Sequence, residues 1–263
     1  MKKQFSFSFA FLFLIVFTLP AQVSNYNFKQ YQGAYVPVAT QGAFHLYYWG
    51  SNVNYADDTM HYGSNSLTKF RGLPIGFNFV FDADTQNVFG ISSCGYLVLG
   101  KDSLSMYPPS SAAFPISGNG VYNILSPLGG GFVHGAIKIK YETLGISPNR
   151  VLTVQWENLS SNQSNNTVAD RDSLDFQVKL FEAGNKIQFV YGPMQWCSLS
   201  SNAAYQVGIK GNSNVDFYSR LLLDAWDKTV TAFNPSASCR LNKKIHPSEG
   251  TVFEFNPPPA SCD

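Results

Sequence analysis

Charge is what this sequence has least of. Only 13% of its 263 residues are Asp, Glu, Lys or Arg, and 18 basic side chains nearly cancel 17 acidic ones. A nucleic-acid surface needs a basic excess gathered into a patch. The nearest approach is Arg240, Lys243 and Lys244, so nucleic acid is not an expected partner. Histidine is scarce too: His45, His61, His134 and His246 stand apart, with no two at the HxH or HxxxH spacing by which a zinc site declares itself. There is no Gly-x-Ser-x-Gly elbow, and the glycines 129–131 lack the Lys and Ser/Thr of a phosphate loop. A glycoside hydrolase needs two carboxylates across one cleft, whereas Glu142, Glu157, Glu182 and Glu254 are spaced as single positions. No enzyme is expected, and no catalytic or cofactor-binding residue is assigned.

A long apolar run is also missing. The apolar stretch from Phe5 to Leu19, which carries no charge, follows Lys2 and Lys3 and ends at Pro20 and Ala21 before polar Gln22. At about 15 residues it is shorter than the roughly 20 a membrane-spanning helix requires, and its charge-then-apolar plan with a small-residue exit is that of a signal peptide. The expected division is a signal peptide at 1–21, one domain at 22–256, and a proline-rich tail or linker start at 257–263. Loss of Lys2 and Lys3 leaves 16 basic residues against 17 acidic, with no membrane insertion after cleavage. Four cysteines, Cys94, Cys197, Cys239 and Cys262, permit disulfides in an exported chain. Cys94 sits in an apolar run and reads as a buried thiol, so the bridge candidates are Cys197, Cys239 and Cys262.

What the chain does have is aromatic residues, 15%, and alternation. Leu152, Val154 and Trp156 fall to one side of Thr153 and Gln155. Leu174, Phe176, Val178 and Leu180 alternate with Asp175, Gln177 and Lys179, and the turn at 182–186 then leads to Ile187, Phe189 and Tyr191. Period two over such segments means half-buried strands, and the glycine-containing turn makes a hairpin. About a dozen such strands separated by Gly, Pro, Asn and Ser predict an all-β fold, an antiparallel two-sheet sandwich of jelly-roll-like type. Leu221 to Trp226 is the one helical candidate.

Loop carboxylates and aromatics supply the binding candidates. Asp57, Asp58, Asp82 and Asp84 are weak candidates for holding calcium as a cofactor, since carboxylates at such loop positions more often serve as turn and cap residues. Tyr48, Trp49, Trp196 and Trp226 lie near strand ends, where an exposed ring could stack on a sugar; aromatic rings of this size are more often core.

The ordered strings LPIGFNFVF (from Leu73), NVFGISSCGYLVLG (from Asn87), NILSPL (from Asn123), SPNRVLTVQWEN (from Ser147) and LDFQVKLFEAGNKIQFVYG (from Leu174) resemble a known module. It is the N-terminal β-sandwich of large Bacteroidota surface and secreted proteins exported by type IX secretion, distantly nidogen-like. The likeness runs from about Tyr26 to Pro257. It implies a secreted or cell-surface adhesion module whose partner is an extracellular protein or glycan; the alternative is a lectin-like carbohydrate-binding module or an atypical glycan-active enzyme.

Overall fold

The computed structural model describes residues 22–39, 44–48, 72–92, 94–100, 115–130, 132–133, 137–161, 172–196 and 203–259. They form two eight-stranded antiparallel sheets. The first holds β1 (Asn27–Gln32), β2 (Phe44–Tyr48), β7 (Phe132–Val133), β8 (Ile137–Leu144), β9 (Val151–Ser161), β10 (Ser173–Phe181), β11 (Ile187–Gln195) and β16 (Thr251–Asn256). Its order is β1-β16-β11-β10-β9-β8-β2, with β7 also on β9. The second holds β3 (Leu73–Phe81), β4 (Asp84–Ser92), β5 (Tyr96–Leu99), β6 (Ile124–Gly129), β12 (Ala203–Lys210), β13 (Phe217–Leu222), β14 (Thr229–Ala232) and β15 (Cys239–Leu241). Its order is β14-β13-β12-β6-β5-β4-β3, with β15 also on β12. The two-sheet all-β sandwich read from the alternation is the fold observed.

Burial follows the alternation where it is strict. In β3, Leu73, Ile75, Phe77, Phe79 and Phe81 are buried and the residues between them exposed. They meet Trp156, Phe176, Val178, Phe189, Tyr191, Phe253 and Phe255 of the first sheet in one core. The rings pack edge-on or offset: Trp156 stacks on Phe176 at 5.1 Å, and Tyr191 meets Phe253 at 5.4 Å, separations at which ring quadrupoles attract. Two buried polar groups pin the sheets together. The Trp156 Nε1–H donates to the Ser92 carbonyl at 3.0 Å, and the Tyr191 hydroxyl to the Pro127 carbonyl at 2.7 Å.

The open edge of β3 is covered by side chains rather than by another strand. Pairing with β4 is interrupted between Pro74 and Phe79, and the backbone groups there turn to the first sheet. Thr143 Oγ1 donates to the Ile75 carbonyl (2.8 Å), Arg150 Nη1 to the Gly76 carbonyl (2.6 Å), and Val80 N–H donates to Asn185 Oδ1 (2.8 Å). An edge blunted in this way offers little to a stray strand. Arg150 is held by a two-pronged pairing with Glu182 (2.8 and 2.6 Å), and the Arg150 backbone N–H at 3.1 Å and Ser147 Oγ at 3.0 Å also donate to that carboxylate. The Arg150 hydrogen bonds pull the Glu182 carboxyl down to about 2. A carboxyl depressed in the folded state contributes stability above its ordinary range and loses it as pH falls. The melting temperatures of the native chain and Glu182→Gln are therefore expected to differ at pH 5 and to converge between pH 4.5 and pH 2, followed by circular dichroism.

Three expectations are corrected. Cys239, a bridge candidate, is a thiol, and Cys94 is likewise not a half-cystine. Cys239 is fully buried in β15, its Sγ 3.5 Å from the Arg220 carbonyl, and burial pushes its thiol up to about 12. It behaves as a small core hydrophobe, and no disulfide joins the described residues. Cys197 and Cys262 lie outside them. The segment 221–226 is not a helix: Leu221 and Leu222 end β13, paired with Val230 and Thr229 of β14. Trp226 is not a surface platform: it is 3% exposed, stacked on Phe253, its Nε1–H donated to the Arg240 carbonyl at 3.1 Å.

Candidate functional site

The inward residues of β9 and β10 are apolar, so Gln155, Glu157, Asp175 and Gln177 face the other way, on the outside of the first sheet. Gln155 pairs with Gln177 across the two strands, and Lys138 of β8 pairs with Glu157. An outward face should be wet, yet Gln155, Gln177 and Lys140 are buried. Part of the cover is the segment 33–39, which leaves β1 and crosses the sheet as a strap. Val38 N–H donates to Gln155 Oε1 (2.8 Å), and Gln177 Nε2 donates to the Val36 carbonyl (2.7 Å) and to Gln155 Oε1 (2.8 Å).

Asp175 sits where two bulges meet. Between Leu174 and Phe176 the register shifts against both neighbours, so Asp175 alone faces Glu157 and Asn158 on β9 and Gly192 and Pro193 on β11. Bulges of this kind re-aim side chains and are frequent beside functional sites. Asn158 adopts φ +60°, donates its backbone N–H to Asp175 Oδ1 at 2.8 Å, and accepts from Ser173 Oγ at 2.8 Å. At Gly192 the Tyr35 ring from the strap comes so close that a Cβ would lie 2.6 Å from its Cζ. Only glycine admits this approach.

The face carries balanced charge. Lys140 Nζ lies 2.6 Å from Glu157 Oε2, and Lys138 Nζ 3.4 Å from Oε1. Burial opposes ionisation of Glu157, but Lys140 and then Lys138 outweigh it, and the net shift is downward. Asp175 moves the opposite way: burial raises it, with the Asn158 amide opposing and the Glu157 charge reinforcing the rise. Burial, with Asp175, Glu157 and Glu249 behind it, also pushes up the Tyr35 phenol. Two polar atoms here are buried with no hydrogen-bond partner, Gln177 Oε1 and the Tyr35 hydroxyl. Both bonds of Gln177 Nε2 are in use, so its amide cannot be flipped to hide the oxygen. An orphaned buried acceptor or donor costs about 1–3 kcal/mol, and that cost is relieved by a polar group brought from outside.

The residues singled out from sequence do not assemble into one site. Asp57, Asp58 and Trp49 lie outside the described residues, and Tyr48 ends β2, paired with Ile137. Asp82 occupies the β3–β4 turn and is buried, whereas Asp84 is exposed at the start of β4. Asp82 Oδ2 accepts the Asn212 N–H at 2.7 Å. Among the described residues no group of three or more His, Cys, Asp or Glu is placed to hold a metal ion. Trp196 follows β11 half-buried against the core, its ring 6.1 Å from that of His246, and its buried Nε1–H has no partner. The Gln155–Gln177 pair escaped the sequence reading. Its only trace was a glutamine at the outward centre of each of two successive strands, where a solvent-facing strand more often carries charge or threonine.

Two antiparallel sheets over an aromatic core, with a strapped polar outer face, define the chain as a β-sandwich module. The NIDO related family matches residues 25–257, nearly the whole described domain, and the chain belongs to that family. The match is to this broader family and singles out neither nidogen itself nor a type IX secretion module. Searches of curated proteins and of solved structures found no match.

Proposed function

We propose that the chain is an exported, non-catalytic binding module for adhesion to an extracellular partner, and that the strapped outer face of the first sheet is its recognition surface. The observation that carries this reading is the pair of buried, unpartnered polar atoms, Gln177 Oε1 and the Tyr35 hydroxyl, beneath the strap. Lysines, carboxylates, carboxamides and a phenol alternate donors with acceptors there, as hydrogen bonding to a hydroxyl-rich or polar partner requires. Both oxygens of Glu157 are occupied by lysines, which suits positioning better than proton transfer. Family and fold suggest an extracellular domain, and the leader at 1–21 supplies the route. Among the described residues no helix is long and apolar enough to cross a membrane.

A glycan array, with immobilised extracellular-matrix proteins as the second panel, tests the proposal. Gln177→Leu and Glu157→Gln are each expected to weaken selective binding at least 10-fold while the cooperative melt is retained. Binding that survives both substitutions but disappears in Trp196→Ala would move the surface to the end of β11. Silence of the native chain on both panels would overturn the reading.

A further inference from the structure

The loop 115–123 lies on the outer face of the second sheet. Tyr205, Val207 and Ile209 of β12 belong to the core, so Gln206 and Lys210 point away from it. Both hold the loop. Gln206 Oε1 accepts the Ile116 and Ser117 N–H groups, and Lys210 Nζ donates to the Gly118 carbonyl at 2.6 Å. Lys210 is fully buried. Its other contacts are Asn214 Oδ1 at 2.9 Å and the face of the Tyr122 ring at 5.0 Å, and among the described residues no carboxylate pairs with it. Burial of an ammonium without a counter-charge disfavours its charged form, and the Lys210 pKa is lowered for that reason.

The next two residues, Asn119 and Gly120, are exposed and form the only Asn-Gly step in the sequence. Among the described residues neither the Asn119 carboxamide nor the Gly120 N–H has a hydrogen-bond partner. Other asparagines are tied: Asn158 to Ser173, Asn185 to Val80, Asn214 to Lys210. Gly120 has φ +83°, and a Cβ built there would meet nothing within 4 Å, so neither a side chain of its own nor a neighbour crowds that side of the residue. Under these conditions an asparagine cyclises. The Gly120 nitrogen, giving up its proton, attacks Asn119 Cγ; the N–Cγ bond forms, the Cγ–Nδ2 bond breaks, and Nδ2 leaves as ammonia with that proton. Water then opens the five-membered imide at one of its two carbonyls. Aspartate or isoaspartate results, with one new carboxylate in either case.

We propose that Asn119 and Gly120 form a self-modification site, at which Asn119 cyclises and opens to aspartate or isoaspartate, and that the carboxylate so formed is the counter-charge of the buried Lys210. Asn119 follows the residue whose carbonyl Lys210 holds, so an aspartate carboxylate there lies within about 8 Å of Nζ, about one Debye length at physiological salt. The step is irreversible and needs neither enzyme nor cofactor, so the charge of this face records the age of the molecule. It lies on the opposite side of the sandwich from the strapped face and does not depend on the recognition reading.

Mass spectrometry tests the site. The freshly purified chain, held at pH 8.5 and 37 °C, is expected to gain about 1 Da in the peptide carrying residue 119, by way of a transient species about 17 Da lighter than the start. Gly120→Ala shields the nitrogen and Asn119→Gln demands a six-membered ring, so each is expected to slow the gain roughly 10-fold or more while the cooperative melt is retained. Asn119→Asp, which carries the charge from the start, tests the pairing. It is expected to melt about 2 °C higher than the fresh native chain at low salt and to lose that difference in 1 M NaCl; in a Lys210→Met background it is expected to gain nothing. Absence of the mass gain, or a gain confined to other asparagines, would overturn the modification site. An Asn119→Asp chain that melts no higher than the native one at low salt, or whose advantage survives 1 M NaCl or Lys210→Met, would overturn the pairing with Lys210.

Discussion

Trp156→Ala is expected to remove about 4 kcal/mol of folding stability, the largest loss for a single side chain in this core. Among the described residues Trp156 is the largest fully buried side chain. It sits on β9, bonded on one side to β8 and on the other to β10, with Phe176 stacked on it at 5.1 Å. Truncation leaves a cavity that cannot collapse, because the strands around it are fixed by ladders on both sides and cannot approach one another. It also removes the Nε1–H that the Ser92 carbonyl accepts across the two sheets, and the end of β4 is then left with an unmet acceptor. Trp156→Phe separates the two contributions. Much of the apolar volume is kept and the donor is lost, so a cost nearer 1–2 kcal/mol is expected. Urea unfolding of both variants measures this. A Trp156→Ala chain within 1 kcal/mol of the native one would mean that the sheets are not held together at this point.

The parts of the fold legible in the sequence were those in which each strand has one wet face. β3 and β10 alternate because one side meets the other sheet, and period two survives in the residues. β6 shows none of this: all its residues are buried, so Ile124 to Gly129 carries no period, and Pro127 argues against a strand. The structure reconciles that proline by placing it in a register shift against β12, between the pairs Gln206–Gly129 and Gly208–Ser126, where no ladder donor is required of it. β13 was hidden for another reason. Arg220 lies buried with its guanidinium 3.7 Å from the centre of the Phe28 ring and its N–H groups on Thr229 and Thr231. A charged residue at an inward position breaks the pattern that alternation reads, and the leucines after it then resemble a helix. The candidate site was least legible because it is made by return of the chain. Gln155 meets Val38 across 117 positions and Asp82 meets Asn212 across 130, and nothing local records either meeting.

Gly208→Ala is expected to cost about 3 kcal/mol, although it adds one methyl group. Gly208 adopts φ +149°, and a Cβ there would lie 2.1 Å from the Tyr218 carbonyl oxygen and 2.9 Å from Ser219 Cα. These are backbone atoms of the partner strand, so no rotamer change makes room; β13 would have to move. Movement is resisted, because Gly208 pairs with Ser219 on one side and Ser126 on the other. Its neighbour Gln206 is a fully buried hub whose Oε1 accepts the Ile116 and Ser117 N–H groups at 2.7 and 3.1 Å. Displacing β13 also carries Asp216, at the end of the loop leading into it, away from the Val23 and Ser24 amides. Loss of stability by denaturant titration should therefore be accompanied by faster amide exchange at residues 23–25, at the far end of the chain from the substitution. Gly184→Ala is the contrasting case: its φ is also positive, at +75°, but a Cβ there meets nothing within 4 Å, so the cost is conformational alone, about 1 kcal/mol. A Gly208→Ala chain no less stable than Gly184→Ala would show that β12 and β13 are not held at the separation that makes glycine obligatory.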